Sequence, residues 1–161
     1  MKKPFLFLFC ITVSAMSMAQ LRVGQKAPEI SLTDTRDSVI KLSSLRGKIV
    51  LIDFWASWCG PCRASIPGLK KIYKKFKDLG FEIFSVSIDD EKKDWVKALK
   101  HDKANWTQVM DSGGWYAKTA KEYFIDEIPT SFLLDKEGRI VAINSEGKKL
   151  EERLKAMCNK Q

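Results

Sequence analysis

The sequence predicts an α/β protein with a central mixed sheet flanked by helices. Three observations predict it. Ile49–Trp55 and Phe81–Ile88 are apolar runs of strand length, helix-period stripes lie between and after them, and two short apolar runs flank Asp135-Lys136-Glu137-Gly138 near the C-terminus. Nearly unbroken apolar runs mark strands covered on both faces, whereas a tight turn with glycine joins antiparallel neighbours. At 161 residues the chain is one domain's worth of sequence and long enough to bury a core.

Taken in order, Gly24–Glu29 reads as loop, and Ile30–Thr33 and Val39–Leu42 as short strands around a turn at Asp34–Ser38, an N-terminal β-hairpin. Ile49–Trp55 is the central strand. From Cys59 the apolar spacing changes to threes and fours (Ile66, Leu69, Ile72, Tyr73, Phe76) with lysines opposite, which predicts an amphipathic helix. Pro67 falls inside it and is expected to kink it, and Gly80 ends it. Phe81–Ile88 is a second buried strand. Asp89–His101 reads as a helix with Trp95, Val96 and Leu99 on one face, Thr107–Met110 as a short strand, and Trp115–Phe124 as another helix. Thr130–Leu134 and Arg139–Ile143 form a hairpin, and Lys148–Asn159 a closing helix.

Residues 1–19 stand apart. Lys2 and Lys3 precede the run Phe5–Val13, apolar apart from Thr12, and Ser17-Met18-Ala19 places small residues where a signal peptidase inspects. This is the pattern of a secretory signal cleaved before Gln20, leaving residues 20–161 as the domain. The apolar stretch is well short of the roughly 20 residues a spanning helix needs, so no stable membrane insertion is expected after cleavage. Loss of Lys2 and Lys3 takes the net charge from +8 to +6. The remaining lysines are scattered in pairs such as Lys70-Lys71 and Lys148-Lys149, the pattern of solvated helix faces. No single basic face speaks for nucleic acid.

Chemistry concentrates at Cys59-Gly60-Pro61-Cys62, between the central strand and the first helix. Two cysteines at this spacing can close a small disulfide ring and open it again, and the strand-then-helix context turns the pair into a dithiol–disulfide exchange site. The exported chain would retain Cys59, Cys62 and Cys158, an odd number that does not describe a structural disulfide framework. Cys158 shares a helical face with Leu150, Leu154 and Met157 and reads as a buried small hydrophobe. The only histidine, His101, together with the three cysteines lacks the spacing of a zinc site. No metal is expected, and no cofactor beyond the cysteine pair.

The stretch Leu51–Pro67, LIDFWASWCGPCRASIP, resembles the active-site segment of thioredoxins, with Asp53 before the motif and Pro67 after it. Ile128-Pro129-Thr130, followed by an apolar strand and Asp-Lys-Glu-Gly-Arg, resembles that family's cis-proline loop and terminal hairpin. The leader, the Val23–Leu45 lead-in and the long segment between Ser87 and Pro129 resemble exported TlpA/ResA-like thiol-disulfide oxidoreductases. Over about residues 23–158 the resemblance implies a thioredoxin-like fold with an N-terminal β-hairpin extension and a helical insertion. One position departs from it: Ser65 stands where ResA-like members commonly carry a glutamate, which leaves proton handling to Asp53.

Cys59, in the first helical turn, meets free N–H groups and the positive end of the helix dipole and is assigned as the nucleophile, with Cys62 resolving. Asp53 lies on the apolar strand, where desolvation raises a carboxyl's pKa and suits it to act as general base toward Cys62. Gly60 and Pro61 shape the turn and leave one face of Cys59 open, Trp58 belongs to a docking surface, and Trp55 belongs to the core. The resemblance implies that Pro129 is cis and sits against the pair, with Ile128 and Thr130 completing a backbone edge for an extended substrate.

The expected activity is reduction of disulfides in partner proteins, in the periplasm or in an extracytoplasmic membrane-tethered form, with electrons from an upstream membrane or periplasmic donor. A disulfide oxidase or isomerase is the alternative. A peroxide-reducing enzyme would use a lone peroxidatic cysteine in a different local motif, and a redox-inactive binding module would carry the cysteines incidentally.

Overall fold

The computed structural model describes residues 20–159, so the expected leader over residues 1–19 lies outside the described part. The elements are β1 (Ser31–Thr33), β2 (Val39–Lys41), β3 (Ile49–Trp55), α1 (Gly60–Phe76), β4 (Phe81–Ser87), α2 (Lys92–Asp102), β5 (Thr107–Met110), α3 (Lys118–Glu122), β6 (Thr130–Leu134), β7 (Ile140–Ile143) and α4 (Gly147–Cys158). Seven strands form one mixed sheet in the order β2-β1-β5-β4-β3-β6-β7. β3 pairs in parallel with β4 and antiparallel with β6. Every residue of β3 is buried, as its unbroken apolar run requires.

Alternation along the strands divides the core into two layers. Val50, Ile52 and Phe54 of β3 join Phe84 and Val86 of β4 against Trp95 and Ala98 of α2 and Ala120 of α3. Ile49 and Leu51, with Phe81 and Ile83, face the other way, against Ile66, Ile72 and Phe76 of α1 and Leu150 and Leu154 of α4. Asp53 shares the parity of Leu51 and Ser85 that of Ile83, so both fall on the α1–α4 face.

The N-terminal hairpin is present: β1 and β2 pair antiparallel, and β1 joins β5 at Thr33–Met110. Upstream of it the chain lies along β7, with Gly24 N–H donating to the Ile140 carbonyl at 2.8 Å and Ile140 N–H to the Gln25 carbonyl at 2.8 Å.

Two expected helices are corrected. Helix α2 begins at Lys92, because Asp89 is drawn into the core by its hydrogen bonds to Ser57 and Ser87 and is 1% exposed. The segment Trp115–Phe124 is not one helix. A 3₁₀ turn spans Gly114–Tyr116, Ala117 is extended (φ −52°, ψ 140°), and α3 covers only Lys118–Glu122. Gly113, at φ 116°, reverses the chain ahead of the turn, and Phe124, at φ 55°, ends the helical path. The break turns Trp115 and Tyr116 outward. Pro67 lies inside α1, which runs unbroken through it.

Candidate active site

Strand β3 delivers the chain to the site, and Ala56–Trp58 carries it into α1. This connection is held from β4's end. Ser57 donates its N–H to both oxygens of the Asp89 carboxylate (3.1 and 3.0 Å) and its hydroxyl to Asp89 Oδ1 (2.6 Å). The Ser87 hydroxyl adds a donor at 2.6 Å. Three hydroxyl and amide groups therefore converge on one buried carboxylate, which offsets its loss of water.

Cys59 is the N-cap of α1 and is disulfide-bonded to Cys62, with Cα atoms 5.3 Å apart. The Cys62 N–H donates to Cys59 Sγ at 3.2 Å. This is one of the donors that a helix N-terminus leaves unpaired, here aimed at a sulfur. Pro61, second in the helix, has no N–H to leave unsatisfied there. Both cysteines are buried in the oxidised form (5% and 3% exposed), while Gly60 is open. The Ile128–Pro129 peptide is cis, and the Ile128 carbonyl oxygen lies 3.8 Å from Cys59 Sγ. Thr130 turns inward, its hydroxyl donating to the Glu127 carbonyl at 2.8 Å.

Asp53 is buried beneath α1. Burial pushes its carboxyl up to about 6; a hydrogen bond from Ser85 opposes the rise, and the nearby negative charge of Glu146 adds to it. It lines a cavity of about 260 Å³ shared with Ser65, Pro129, Ser145 and Glu146. Asp53 thus shares one cavity with the cis-proline and with the first turns of α1. Ser65, one turn past Cys62, donates its hydroxyl back to the Cys62 carbonyl at 2.8 Å.

Trp55 is core, 2% exposed, whereas Trp58 is 53% exposed and meets Trp115 at 6.0 Å between ring centroids. Tyr116 stands beyond them, with Lys121 over its ring. Trp115 and Tyr116 were not legible as surface residues, because a continuous helix would have hidden part of them. Asp89, Ser57 and Ser85 were also missed. The available signal was the pair of serines interrupting the buried run Phe81–Ile88, since a polar group in such a strand needs a partner.

Cys158 is free and half-buried at the end of α4, its thiol 3.9 Å from the Leu79 carbonyl and pushed up by burial. His101 sits in a surface cluster in which Arg63 binds Asp102 bidentately at 2.7 and 2.8 Å. Among the described residues no group of His, Cys, Asp and Glu is arranged to hold a metal ion, and no helix is long and apolar enough to cross a membrane.

A mixed sheet with a disulfide-bonded cysteine pair at the N-terminus of α1 and a cis-proline beside it defines a thiol-disulfide oxidoreductase of the thioredoxin fold. Residues 23–143 match the AhpC/TSA family, and the chain belongs to it. It is 30% identical to the thiol-disulfide oxidoreductase ResA of Bacillus thuringiensis over 141 residues, covering 88% of this chain and 79% of that one. It is also similar to the thioredoxin domain of a thiol-disulfide oxidoreductase from Bacteroides vulgatus (38% identity, TM-score 0.80, 87% of this chain and 100% of that one). A further similar structure is a thiol-disulfide oxidoreductase from Bacteroides fragilis (34% identity, TM-score 0.77, 82% and 98%).

Proposed function

We propose that this protein is an exported protein-disulfide reductase whose electrons pass through Cys59 and Cys62. The observation that carries the reading is the Cys62 N–H on Cys59 Sγ at the helix N-terminus, which favours Cys59 as thiolate and attacking sulfur. In the reduced protein the Cys59 thiolate attacks a substrate disulfide, forming a mixed disulfide and expelling one substrate thiolate. Cys62 then gives up its proton to Asp53 and attacks Cys59 Sγ, which releases the second substrate thiolate and leaves the Cys59–Cys62 disulfide. Two electrons pass to the substrate, and an upstream dithiol must return them.

The cis Ile128–Pro129 edge beside Cys59, with the exposed pair Trp58 and Trp115, supports docking of an extended segment of a disulfide-containing protein. Gly60, open at the surface, leaves room for that approach, and Thr130 contributes backbone. The sequence pattern of residues 1–19 supports an extracytoplasmic address, with the periplasm favoured over a tethered form.

Insulin-disulfide reduction with a chemical thiol donor, followed by equilibration in glutathione buffers, tests the reading. Turnover abolished by Cys59→Ser, with a potential in the reducing range of thioredoxins, is the expected result. A potential near those of strong oxidants would assign the protein instead to disulfide introduction or reshuffling. Rapid consumption of hydrogen peroxide would assign it to peroxide reduction.

A further inference from the structure

A row of four polar residues crosses the sheet beneath α1. Gln108 of β5, Ser85 of β4, Asp53 of β3 and Ser131 of β6 are neighbours in register, and each is buried. Within this row the hydrogen bonds have a direction. Trp106 Nε1 donates to Ser85 Oγ at 2.8 Å, and the Ser85 hydroxyl donates to Asp53 Oδ2 at 3.0 Å. An indole N–H can only donate, so it takes an acceptor position on Ser85 and leaves the hydroxyl proton for Asp53. Ser85 is 0% exposed, so water does not compete for that proton. Trp106 is itself held in place: it is 6% exposed, and the Tyr73 ring of α1 packs against its edge at 5.8 Å and 67°.

We propose that Trp106 and Ser85 are positioning residues, a one-way donor chain that keeps the buried Asp53 carboxyl able to ionise and so sets the pH range in which it can accept a proton. This rests on the reading of Asp53 as the base for Cys62. Desolvation alone can hold a buried carboxyl neutral well past pH 7, where it could take no proton from a thiol. The groups facing Asp53 are Ser85 from β4, Ser131 from β6, Ala64 and Ser65 from α1, and Glu146 from the start of α4. Glu146 is negative and acts in the same sense as burial, so the opposing stabilisation of the carboxylate comes from Ser85. The indole behind the hydroxyl polarises its O–H bond and strengthens it as a donor.

The test follows the Asp53 side-chain carboxyl through a pH titration by carbon-13 NMR in the oxidised wild type, Ser85→Ala, Ser85→Thr and Trp106→Phe, with Asp53→Asn to assign the signal. The pH profile of insulin reduction is recorded beside it. Ser85→Ala is expected to raise the midpoint by about one to two pH units, the size of a hydrogen bond to a charged group. Trp106→Phe should raise it by less, because the hydroxyl remains, and Ser85→Thr should restore the wild-type value. Unchanged midpoints in Ser85→Ala and Trp106→Phe would overturn the donor chain, whatever the activity does. Midpoints that move while the acid limb of the rate profile stays fixed, or persists in Asp53→Asn, would uphold the donor chain and overturn the base assignment.

Discussion

The backbone and hydroxyl of Ser57 are bound by the carboxylate of Asp89, 32 residues away in sequence, through three hydrogen bonds of 2.6 to 3.1 Å. Ser57 lies two residues before Cys59, so the end of β4 determines where the cysteine loop sits on β3. With the Ser87 hydroxyl, Asp89 gathers three donor groups onto a carboxylate that is itself 1% exposed. Asp89→Ala should therefore destabilise the oxidised protein by about 3 kcal/mol, and Asp89→Asn, which keeps one acceptor oxygen, by about half of that. Urea unfolding at neutral pH measures both.

Asp53 carries the opposite consequence. Its carboxyl is raised to about 6 in the folded protein, by burial first. Between about pH 4 and pH 6 the folded chain holds a proton that the unfolded chain has lost, so stability falls across that window and the deficit persists above it. Asp53→Asn should be more stable than wild type by about 2 to 3 kcal/mol at pH 8 and no more stable at pH 4. Guanidinium unfolding at the two pH values measures the difference. On the proposed role of Asp53 as base for Cys62, the same variant should slow insulin reduction at pH 8.

Arg63 and Asp102 join α1 to the end of α2 through a bidentate pair, and the Arg63 guanidinium holds the Asp102 carboxyl below its usual range. A depressed carboxylate contributes stability that is present above its unfolded pKa and lost as pH falls through the folded value. Asp102→Asn should cost about 1 to 2 kcal/mol at pH 7, and the difference should begin to shrink near pH 4 and close only as pH falls through the lowered folded value. Thermal unfolding followed from neutral pH down into strong acid reads this directly.

Trp58 and Trp115 expose about half of their surfaces beside the cysteine pair (53% and 43%). Trp115→Ala should raise KM for a folded protein substrate by about two- to tenfold, the worth of one aromatic contact, and leave turnover of a small-molecule disulfide unchanged. Equal losses on both substrates would point to damage of the site itself.

Much of this molecule can be read along the chain. The β3 run, the hairpin around Gly138 and the lysine-backed stripe of α1 are local periodicities, and each became the expected element because burial on one or both faces imposes those periods. Cys59 and Cys62 were legible for the same reason, since a pair three residues apart at a helix start needs no distant information. Asp53 could be placed on a buried strand, and burial alone predicts the sense of its pKa shift.

Partners across the fold were not legible in this way. Nothing local assigns Asp89 to Ser57 rather than to the helix that follows it, or points the Trp106 indole at Ser85, because these contacts join segments that meet only when β3, β4 and β5 align in register. Trp115 illustrates the same division: its apolar character is written in the sequence, but the break at Ala117 that turns it to solvent belongs to the packing of Ala117 and Ala120 against the sheet. Short-range periodicity and spacing set the strands, the first helix and the cysteine pair at its start. Which buried polar groups face one another was settled by the folded arrangement, because hydrogen bonds depend on distances that chain order does not encode.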